Sequence, residues 1–329
     1  MVHMNQGQGE TSYAHNSSIQ SAQQNRMKPL IEADIIDLCG SRSTLFPEKM
    51  LIADLGCSSG PNALALVSTA VKAIINHWLQ FQQPPPEMCV LLNDLPDNDF
   101  NTVVKSLVTL RQSNNKPVVV TGVALGSFYE RLFTSDSLHL VCSSNILHWL
   151  SMAPENLTMN QIHAHDMDEH ARRERLPMVR EAYARLFRKD FMLFLELRAK
   201  ELVRGGRMIL SVMALEGVID KATFDSFCVP VYGPSGEELR EIIQEEGSFS
   251  IKDMRVYDAT TDMDSMLFTP SSFVNHLRAI FEPMIVEHFR EVMDEFVRTA
   301  DQRWSLEGSM QDERARNPRA MLVLSLTKA

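Results

Sequence analysis

The chain has 329 residues, 44% of them hydrophobic, which is enough to bury a large core in one domain or in one domain with a cap. Acidic residues outnumber basic ones, for a formal net charge of -10. This balance argues against a protein that binds nucleic acid or an anionic membrane mainly through positive charge.

No segment of the sequence predicts export or membrane insertion. The first residues show no apolar segment behind basic residues, so no signal peptide is recognised. No uncharged apolar run reaches the roughly 18 residues that a membrane-spanning helix requires. The five cysteines form no CxxC pair and are typical of free thiols in a reducing compartment. We therefore expect a cytoplasmic protein that binds neither a membrane nor nucleic acid.

The first half of the chain alternates short apolar runs with a helical pattern. After Pro61, apolar residues recur at helical spacing. Proline is favoured at a helix start because its missing N–H costs nothing there. Four apolar runs, each followed by polar or turn-forming residues, predict buried strands. They cover residues 50–55, 88–93, 117–121 and 138–143.

The second half continues the alternation with longer helices. A helical period over residues 178–203 is followed by Gly205 and Gly206, which predicts a glycine C-cap before a strand at residues 207–212. A single amphipathic helix is predicted over residues 271–296. Two further strands are predicted over residues 249–257 and 320–327.

The alternation of strands and helices predicts an α/β fold with a mostly parallel sheet and helices on both faces. The segments that break the alternation are mainly helical, and we expect them to form a cap and an N-terminal lid. One domain then spans residues 1–329. Its core covers residues 46–150, 191–213, 247–260 and 318–329, and the cap and lid cover residues 1–45, 151–190, 214–246 and 261–317.

The loop after the first predicted strand has the pattern of a nucleoside site. Asp54, Gly56 and Gly60 lie between an apolar strand and a helix, where glycines let a ligand approach the backbone. The spacing lacks the full G-x-G-x-x-G pattern, which argues against a pyrophosphate-binding NAD site. Asp94 ends the next strand, where its carboxylate is placed to accept both ribose hydroxyls of an adenosine. Alternatively, Asp94 only caps a turn with Pro96.

Seven segments with a recognisable pattern occur in order along nearly the whole chain. They are GETSYAHNSSIQ at residues 9–20, ADLGCSSGPN at 53–62, LNDLPDNDFN at 92–101, GSFYERLF at 126–133, SSNILHWLS at 143–151, ELVRGGRM at 201–208 and LRAIFEP at 277–283. Together they resemble the plant SABATH methyltransferases, the family of salicylate and benzoate carboxyl methyltransferases. The resemblance implies a Rossmann-like seven-stranded methyltransferase sheet. It also implies S-adenosyl-L-methionine as the cofactor and a small carboxylic acid, such as benzoate, salicylate or jasmonate, as the acceptor.

The resemblance also assigns residues to the cofactor. Besides Asp54 of the loop pattern, the implied contacts are Tyr13, Cys57, Asn62, Asp94, Leu95, Ser127 and Phe128. Phe128 offers a ring face to adenine or to the region beside the sulfonium. Cys57 is expected to line the pocket and not to act as a nucleophile, because no basic residue near it in sequence lowers the pKa of its thiol.

Methyl transfer to a carboxylate needs positioning and no general base, because an acid with a pKa near about 4 is already ionised at pH 7. Such a site needs neutral hydrogen-bond donors, since a tight ion pair would weaken the nucleophile. By resemblance, the Gln20 amide and the Trp149 indole N–H hold the carboxylate, with His148 beside them. From the residues alone, Trp149 is better explained as core, Gln20 is an ordinary helix residue and His148 is explained as a hydrogen-bonded pocket residue with no role in proton transfer.

Two acceptor-side positions depart from the family pattern. His148 stands where members that favour salicylate tend to carry Met, which favours benzoate-like, jasmonate-like or other acids. Asn145, also expected to line the acceptor pocket, stands where the family usually has Tyr. The lost aromatic wall leaves room for a second activity, N-methylation of a purine or alkaloid.

The region at residues 213–217 is shorter than the family pattern. Residues 211–215 are followed almost directly by the segment at residues 216–220. The family has a long, partly helical segment between these two parts, which helps to roof the acceptor pocket. A truncated pocket, an altered specificity and a missed exon in the gene model all explain the difference. A cofactor-binding protein with weak or lost activity is therefore a third possible function.

The resemblance implies two further properties, a Mg²⁺ site away from the chemistry and a homodimer. The positions that correspond to the metal site are Asn160, Asp225, Phe227 and Cys228. Cys228 replaces an Asn, and a thiol suits softer metals than Mg²⁺. The His, Asp and Glu residues between positions 163 and 170 match no defined metal geometry and are interpreted as a solvated loop.

Overall fold

A seven-stranded sheet forms the centre of the molecule. The structure is a computed structural model. It describes residues 4–7, 9–40, 48–111, 117–155, 157, 169–215, 230–258, 269–289, 292–306 and 319–329. The strands are β1 (Lys49–Leu55), β2 (Glu87–Asp94), β3 (Val119–Leu125), β4 (Leu138–Ser144), β5 (Leu202–Leu215), β6 (Phe249–Asp258) and β7 (Arg319–Lys328). Each apolar run that predicts a strand lies in one of them, except that the run at residues 117–121 begins two residues before β3.

The strands lie in the order β3-β2-β1-β4-β5-β7-β6. Strand β7 pairs antiparallel with β5 and β6, and the other neighbouring pairs are parallel. The predicted Rossmann-like sheet is thereby confirmed. From β1 the chain steps outward to β2 and β3 and then returns to β4 on the other side of β1. A ligand crevice opens beyond the carboxyl ends of the strands at such a reversal of order.

Helices cover both faces of the sheet. They are α1 (Ser18–Gly40), α2 (Ala65–Gln80) with a preceding 3₁₀ turn (Pro61–Leu64), α3 (Phe100–Arg111), α4 (Glu169–Glu201), α5 (Gly236–Glu246), α6 (Pro270–Phe289) and α7 (Met293–Ser305). Among the described helices, none has both the length and the apolar character that crossing a membrane would require.

Two apolar clusters, one on each face, hold the helices to the sheet. Val141 of β4 packs in the cluster with α4 and α5. Its neighbour Leu140 packs in the cluster with α1 and α2, on the other face of the sheet. Successive strand side chains point to opposite faces, which explains the division. Helix α1 lies within the segment 1–45 that the sequence assigns to a lid, and it packs on the sheet face beside α2.

The predicted glycine C-cap at Gly205 and Gly206 is wrong. Helix α4 ends earlier, at Glu201, and Leu202 already pairs with Leu138 in the sheet. The register then jumps from that pair to Leu140 opposite Arg207, and Gly205 has a φ of 74° within the jump. The glycines therefore form an irregularity at the start of β5, because only glycine adopts this conformation without strain.

The single helix predicted over residues 271–296 is also wrong, since two helices occupy this region. Helix α6 ends at Phe289, and α7 begins at Met293. Both helices carry apolar residues at helical spacing, so the period alone does not mark a boundary between them. Val292 at the start of α7 makes no side-chain cap hydrogen bond, so the usual sequence signal of a new helix is missing there.

Candidate active site

The loop after β1 packs closely against the chain segment before α1 and is hydrogen-bonded to it. Gly60 has a φ of 98°, and a Cβ atom there would lie 2.7 Å from the Cβ of Ala14. Asn62 donates through Nδ2 to the carbonyl of Ser17 at 2.8 Å and to its hydroxyl at 3.0 Å. Tyr13, predicted to contact the cofactor, is buried in the same segment. The predicted residues Tyr13 and Asn62 thus lie at one closely packed junction.

Replacing Gly60 with alanine is expected to open this junction. A backbone with φ 98° and ψ −163° is essentially restricted to glycine and costs another residue about 1–3 kcal/mol, and the new methyl group would also displace Ala14. We expect affinity for S-adenosylhomocysteine, measured by calorimetry, to fall by about tenfold or more. Gly205→Ala is the matched control, because Gly205 also has a positive φ of 74° but nothing within 4 Å of its added Cβ. Equal losses of affinity in both variants would contradict the prediction.

Asp94 lies where β2 ends, with its carboxylate directed at the loop after β1. Its Oδ2 accepts the N–H of Ser58 at 2.6 Å, and its Oδ1 accepts the N–H of Leu95 at 2.8 Å. Burial raises the pKa of Asp94 although these two hydrogen bonds act against the shift. Each carboxylate oxygen has more lone pairs than these bonds use, so Asp94 retains the capacity to accept two ribose hydroxyls.

A second carboxylate, Asp54, lies at the end of the adjacent strand β1. It is buried, and burial together with the nearby Asp94 raises its pKa well above the usual range. Two neighbouring acidic groups in a buried crevice favour a ligand that carries positive charge. This part of the chain combines two carboxylate acceptors, glycines that let a ligand approach the backbone, and the ends of β1 and β2. These features suit a cofactor in which a sulfonium group is attached to adenosine.

Hydrogen bonds connect the ends of β1, β2 and β3 to one another. The N–H of Cys57 donates to the carbonyl of Asn93 at 2.9 Å, and the N–H of Gly126 donates to that of Asp94 at 3.1 Å. Asn93 is fully buried, and its Nδ2 donates to Ala124 at 2.8 Å and to Gly126 at 2.9 Å. These bonds hold the loops after β1, β2 and β3 at one rim of the sheet.

The Cys57 thiol is buried at this rim. Burial, and then the carboxylates of Asp94 and Asp54, raise its pKa well above the usual range, so the thiol stays protonated at neutral pH. This agrees with the expectation that Cys57 is not a nucleophile, and its contact with the cofactor stays a prediction. The other cysteines in the described ranges, Cys39, Cys89 and Cys142, are also free thiols.

Ser127 and Phe128 begin the loop that follows β3. The buried Ser127 accepts the N–H of Tyr129 through Oγ at 3.1 Å, which fixes the turn. The Phe128 ring lies 4.5 Å from the Tyr129 ring and 6.4 Å from the Phe194 ring, measured between centroids. The Phe128 ring is therefore packed between these two aromatic residues, and the contact of Ser127 and Phe128 with the cofactor stays a prediction.

Three elements that are distant in sequence contact one another around Gln20, His148 and Trp149, the residues predicted to bind the acceptor. Gln20 of α1 approaches His276 of α6, with its Nε2 3.5 Å from both ring nitrogens. Trp149, after β4, lies 5.7 Å from Phe281 of α6 and 5.6 Å from His148, measured between ring centroids. Helix α6 thus contacts both predicted carboxylate donors, Gln20 and Trp149.

Asn145, predicted to line the acceptor pocket, connects two of these elements. Its Nδ2 donates to Oε1 of Gln23 on α1 at 2.8 Å and to the Ser144 hydroxyl at 3.2 Å. Its φ of 57° lies in the left-handed region, which Asn tolerates better than most residues. Asn145 therefore fixes α1, and with it Gln20, to the end of β4. Its contact with the acceptor stays a prediction.

Two buried polar atoms on the acceptor side have no hydrogen-bond partner in the described part of the protein. They are Oε1 of Gln20 and Nδ1 of His148, whose residues are 9% and 8% exposed. Burial lowers the pKa of His148 to about 4, so its imidazole is neutral at pH 7. An unpaired buried polar group is costly, which makes these atoms candidates for contact with a bound ligand.

The neutral state of His148 predicts how stability depends on pH. The pKa of His148 in the folded protein, about 4, lies below its usual value of 6.5, so acid protonates the unfolded state first. Between pH 7 and pH 5 this linkage lowers the free energy of unfolding by about 1–2 kcal/mol. His148→Gln should lose less stability over this range in urea titrations. Parallel pH curves for wild type and His148→Gln would refute this.

The predicted Mg²⁺ positions Asn160, Asp225, Phe227 and Cys228 lie outside the described residues. Within the described ranges, no group of three or more His, Cys, Asp or Glu side chains could hold a metal ion. The donor set itself fits Mg²⁺ poorly, because a Cys228 thiol replaces an oxygen ligand.

Four residues of the site carry no prediction from the sequence. They are Gln23, Tyr129, His276 and Phe281. Tyr129 donates its hydroxyl to the carbonyl of Trp149 at 2.8 Å and so joins the loop after β3 to the segment after β4. Gln23 follows Gln20 by three residues, and helical spacing alone places both on one face. Tyr129 and Phe281 lie inside family-like segments, whereas His276 only adjoins one.

Comparisons with known proteins match the whole chain. The family model described as SAM dependent carboxyl methyltransferase matches residues 1–215 and 209–329. The two matches meet at the region that the sequence identifies as shortened. A probable jasmonic acid carboxyl methyltransferase of Theobroma cacao is 37% identical, over 92% of this chain and 92% of its own. That alignment has 348 positions, more than the 329 residues of this chain, so the relative contains residues that this chain lacks.

Two further similarities agree with this family. An S-adenosyl-L-methionine:benzoic acid/salicylic acid carboxyl methyltransferase of Petunia hybrida is 36% identical, over 89% of this chain and 90% of its own. The solved structure of a loganic acid methyltransferase with SAH superimposes with a TM-score of 0.81 at 26% identity, covering 99% of this chain and 98% of that one. The sequence resemblance to the SABATH methyltransferases is confirmed: the chain belongs to the family of S-adenosylmethionine-dependent carboxyl methyltransferases.

Proposed function

We propose that this member of the family transfers the methyl group of S-adenosyl-L-methionine to the carboxylate of a small plant acid and forms a methyl ester. The observation that carries the proposal is that Gln20 and Trp149 both contact α6, Gln20 through His276 and Trp149 through Phe281. Both side chains can donate a hydrogen bond without carrying charge. They suit an anionic oxygen that must be held and yet remain a nucleophile.

In this proposal the residues of the chain act by binding and positioning. S-adenosyl-L-methionine supplies, when bound, a methyl group activated by a positively charged sulfur. Asp94 accepts the ribose hydroxyls, and the loop with Ser127 and Phe128 holds the adenine. Gln20 and Trp149 donate to the acceptor carboxylate and orient one of its oxygens toward the methyl group. His148, neutral because burial lowers its pKa to about 4, takes no proton, since the acid is already ionised.

The acceptor we propose is an acid with an apolar body, of the benzoate, salicylate or jasmonate type. The relatives from cacao and Petunia are named for acids of this kind. Beside Trp149, the ring of Phe281 offers an apolar wall that suits such a body. His148 at the position where salicylate-preferring members tend to have Met favours benzoate-like or jasmonate-like acids over salicylate.

The direct test is an acceptor panel with labelled S-adenosyl-L-methionine. Benzoate, salicylate, jasmonate and indole-3-acetate are incubated with the purified protein, and methyl esters are identified by gas chromatography and mass spectrometry. We expect at least one acid to give an ester. A panel in which every acid stays unmethylated overturns the proposal.

Two alternatives are outcomes of the same panel. N-methylation of a xanthine without ester formation would favour a purine or alkaloid acceptor, for which Asn145 in place of Tyr leaves room. Tight binding of S-adenosylhomocysteine without turnover of any acceptor would favour a cofactor-binding protein whose activity is weak or lost. The family match comes in two parts that overlap at residues 209–215, which supports including this second alternative.

We also propose a cytoplasmic location, a homodimer and no nucleic-acid partner. The free thiols of the described cysteines and the net charge of -10 support the location and the absence of nucleic-acid binding. The homodimer rests on the family resemblance alone, and size-exclusion chromatography with light scattering tests it. Magnesium at Asn160, Asp225, Phe227 and Cys228 stays a prediction that metal analysis of the purified protein can test.

A further inference from the structure

A fully buried ion pair lies at the end of α4. Both the Arg198 and the Glu201 side chain are 0% exposed, and Nε of Arg198 lies 2.8 Å from Oε2 of Glu201. Nε and Oε2 are close, but the N–H does not point at the oxygen well enough to form a hydrogen bond. The hydrogen bond of the pair is the one that Nη2 of Arg198 donates to Oε1 of Glu201 at 3.2 Å. A buried ion pair is seldom more stabilising than apolar side chains of the same volume. Stability alone is therefore a weak explanation for this pair.

Both partners bind the backbone of the loop after β3. Arg198 donates through Nη1 to the carbonyl of Phe128 at 3.1 Å and through Nη2 to the carbonyl of Glu130 at 2.8 Å. Glu201 accepts through Oε1 the N–H groups of Leu132 at 2.7 Å and Phe133 at 3.0 Å. Four backbone groups of residues 128–133 are thus held by two side chains of one helix end.

The same guanidinium also supports the ring of Phe128. Arg198 Cζ lies 5.4 Å from the centroid of Phe194, and the Phe194 ring meets the Phe128 ring edge-on at 6.4 Å. The carbonyl of Phe128 and its ring are therefore both positioned from α4, one by a hydrogen bond and one by packing. Phe128 is the residue that our cofactor assignment places against adenine.

We propose that Arg198 and Glu201 are positioning residues for the cofactor loop, which hold Phe128 in the orientation that binds the adenosine part of S-adenosyl-L-methionine. The inference rests on the proposed cofactor role of Phe128. It requires Arg and not Lys at position 198, because only a planar fork reaches two carbonyls and a carboxylate at once.

The test is a double-mutant cycle on the full-length protein, read as the dissociation constant of S-adenosylhomocysteine by calorimetry. Arg198→Lys is expected to weaken binding about tenfold in wild-type protein but less than about threefold in a Phe128→Ala background. Equal effects in both backgrounds overturn the inference. So does a lower melting temperature of Arg198→Lys with unchanged affinity, which indicates a purely structural role.

A second variant and a variant-free measurement keep the test decisive if Arg198→Lys fails to fold. Glu201→Gln keeps the Oε1 acceptor for Leu132 and Phe133 while it removes the charge, and it should weaken binding in the same background-dependent way. In wild-type protein, S-adenosylhomocysteine should slow amide hydrogen exchange at Leu132 and Phe133. Unchanged exchange would overturn the proposal.

The same data separate this inference from the cofactor assignment. If Phe128→Ala binds S-adenosylhomocysteine as tightly as wild type, the cofactor role of Phe128 is wrong and the proposal falls with it. If Phe128→Ala weakens binding but Arg198→Lys adds to it independently, the cofactor site stands and only the positioning role of Arg198 is refuted.

Discussion

Asp94→Asn is expected to weaken binding of S-adenosyl-L-methionine by about 30-fold or more, a loss of about 2 kcal/mol or more. The carboxylate can accept both ribose hydroxyls, whereas an amide offers one acceptor oxygen and no charge. In addition, the amide NH₂ must face the N–H of Ser58 or Leu95, because each of these donors now points at one carboxylate oxygen. Calorimetry with S-adenosylhomocysteine measures the change directly.

Asp97→Asn is the control for this prediction. Asp97 lies three residues further along the same loop and is exposed, so the substitution removes the same charge without touching the crevice. Its affinity should remain near that of wild type. Similar losses in both variants would mean that long-range charge, and not a contact of Asp94, governs cofactor binding.

Trp149→Phe is expected to lower kcat/KM for the methylated acid by about 10- to 100-fold, because a hydrogen bond to a charged oxygen contributes about 1.5–3 kcal/mol. The phenyl ring keeps much of the packing against Phe281 and His148 but removes the indole N–H. Affinity for S-adenosylhomocysteine should not change, since Asp94 and Phe128 are untouched. Gln20→Leu should give a loss of the same kind.

Trp78→Phe serves as the matched control for the loss of an indole. Trp78 is 3% exposed and packs in the apolar cluster of α1 and α2. This variant should melt at a lower temperature, because a smaller ring leaves a cavity, yet keep its KM for the acid. Unchanged ester formation by Trp149→Phe would show that Trp149 does not hold the carboxylate.

The strand pattern and the donor half of the site were predictable because they are local. A strand that ends in Asp54 or Asp94, followed by glycine or a turn, determines both the element and the position of its last side chain. The same locality explains the two errors. Glycines such as Gly205 and Gly206 occur both at helix ends and at strand irregularities, so the residue type alone does not decide between them. Helical spacing of apolar residues continues from α6 into α7 and does not indicate where one helix ends and the next begins.

The sequence by itself therefore determined the fold class and the family of carboxyl methyltransferases, and it predicts Gln20 and Trp149 as carboxylate donors. Only the tertiary structure decided that both residues contact α6, through His276 and Phe281, and that Asn145 contacts Gln23. It also decided that Arg198 and Glu201, about 70 residues from Phe128, bind the backbone of the loop after β3. Such contacts join elements that are adjacent in space and remote in the chain, so neither spacing nor local propensity encodes them.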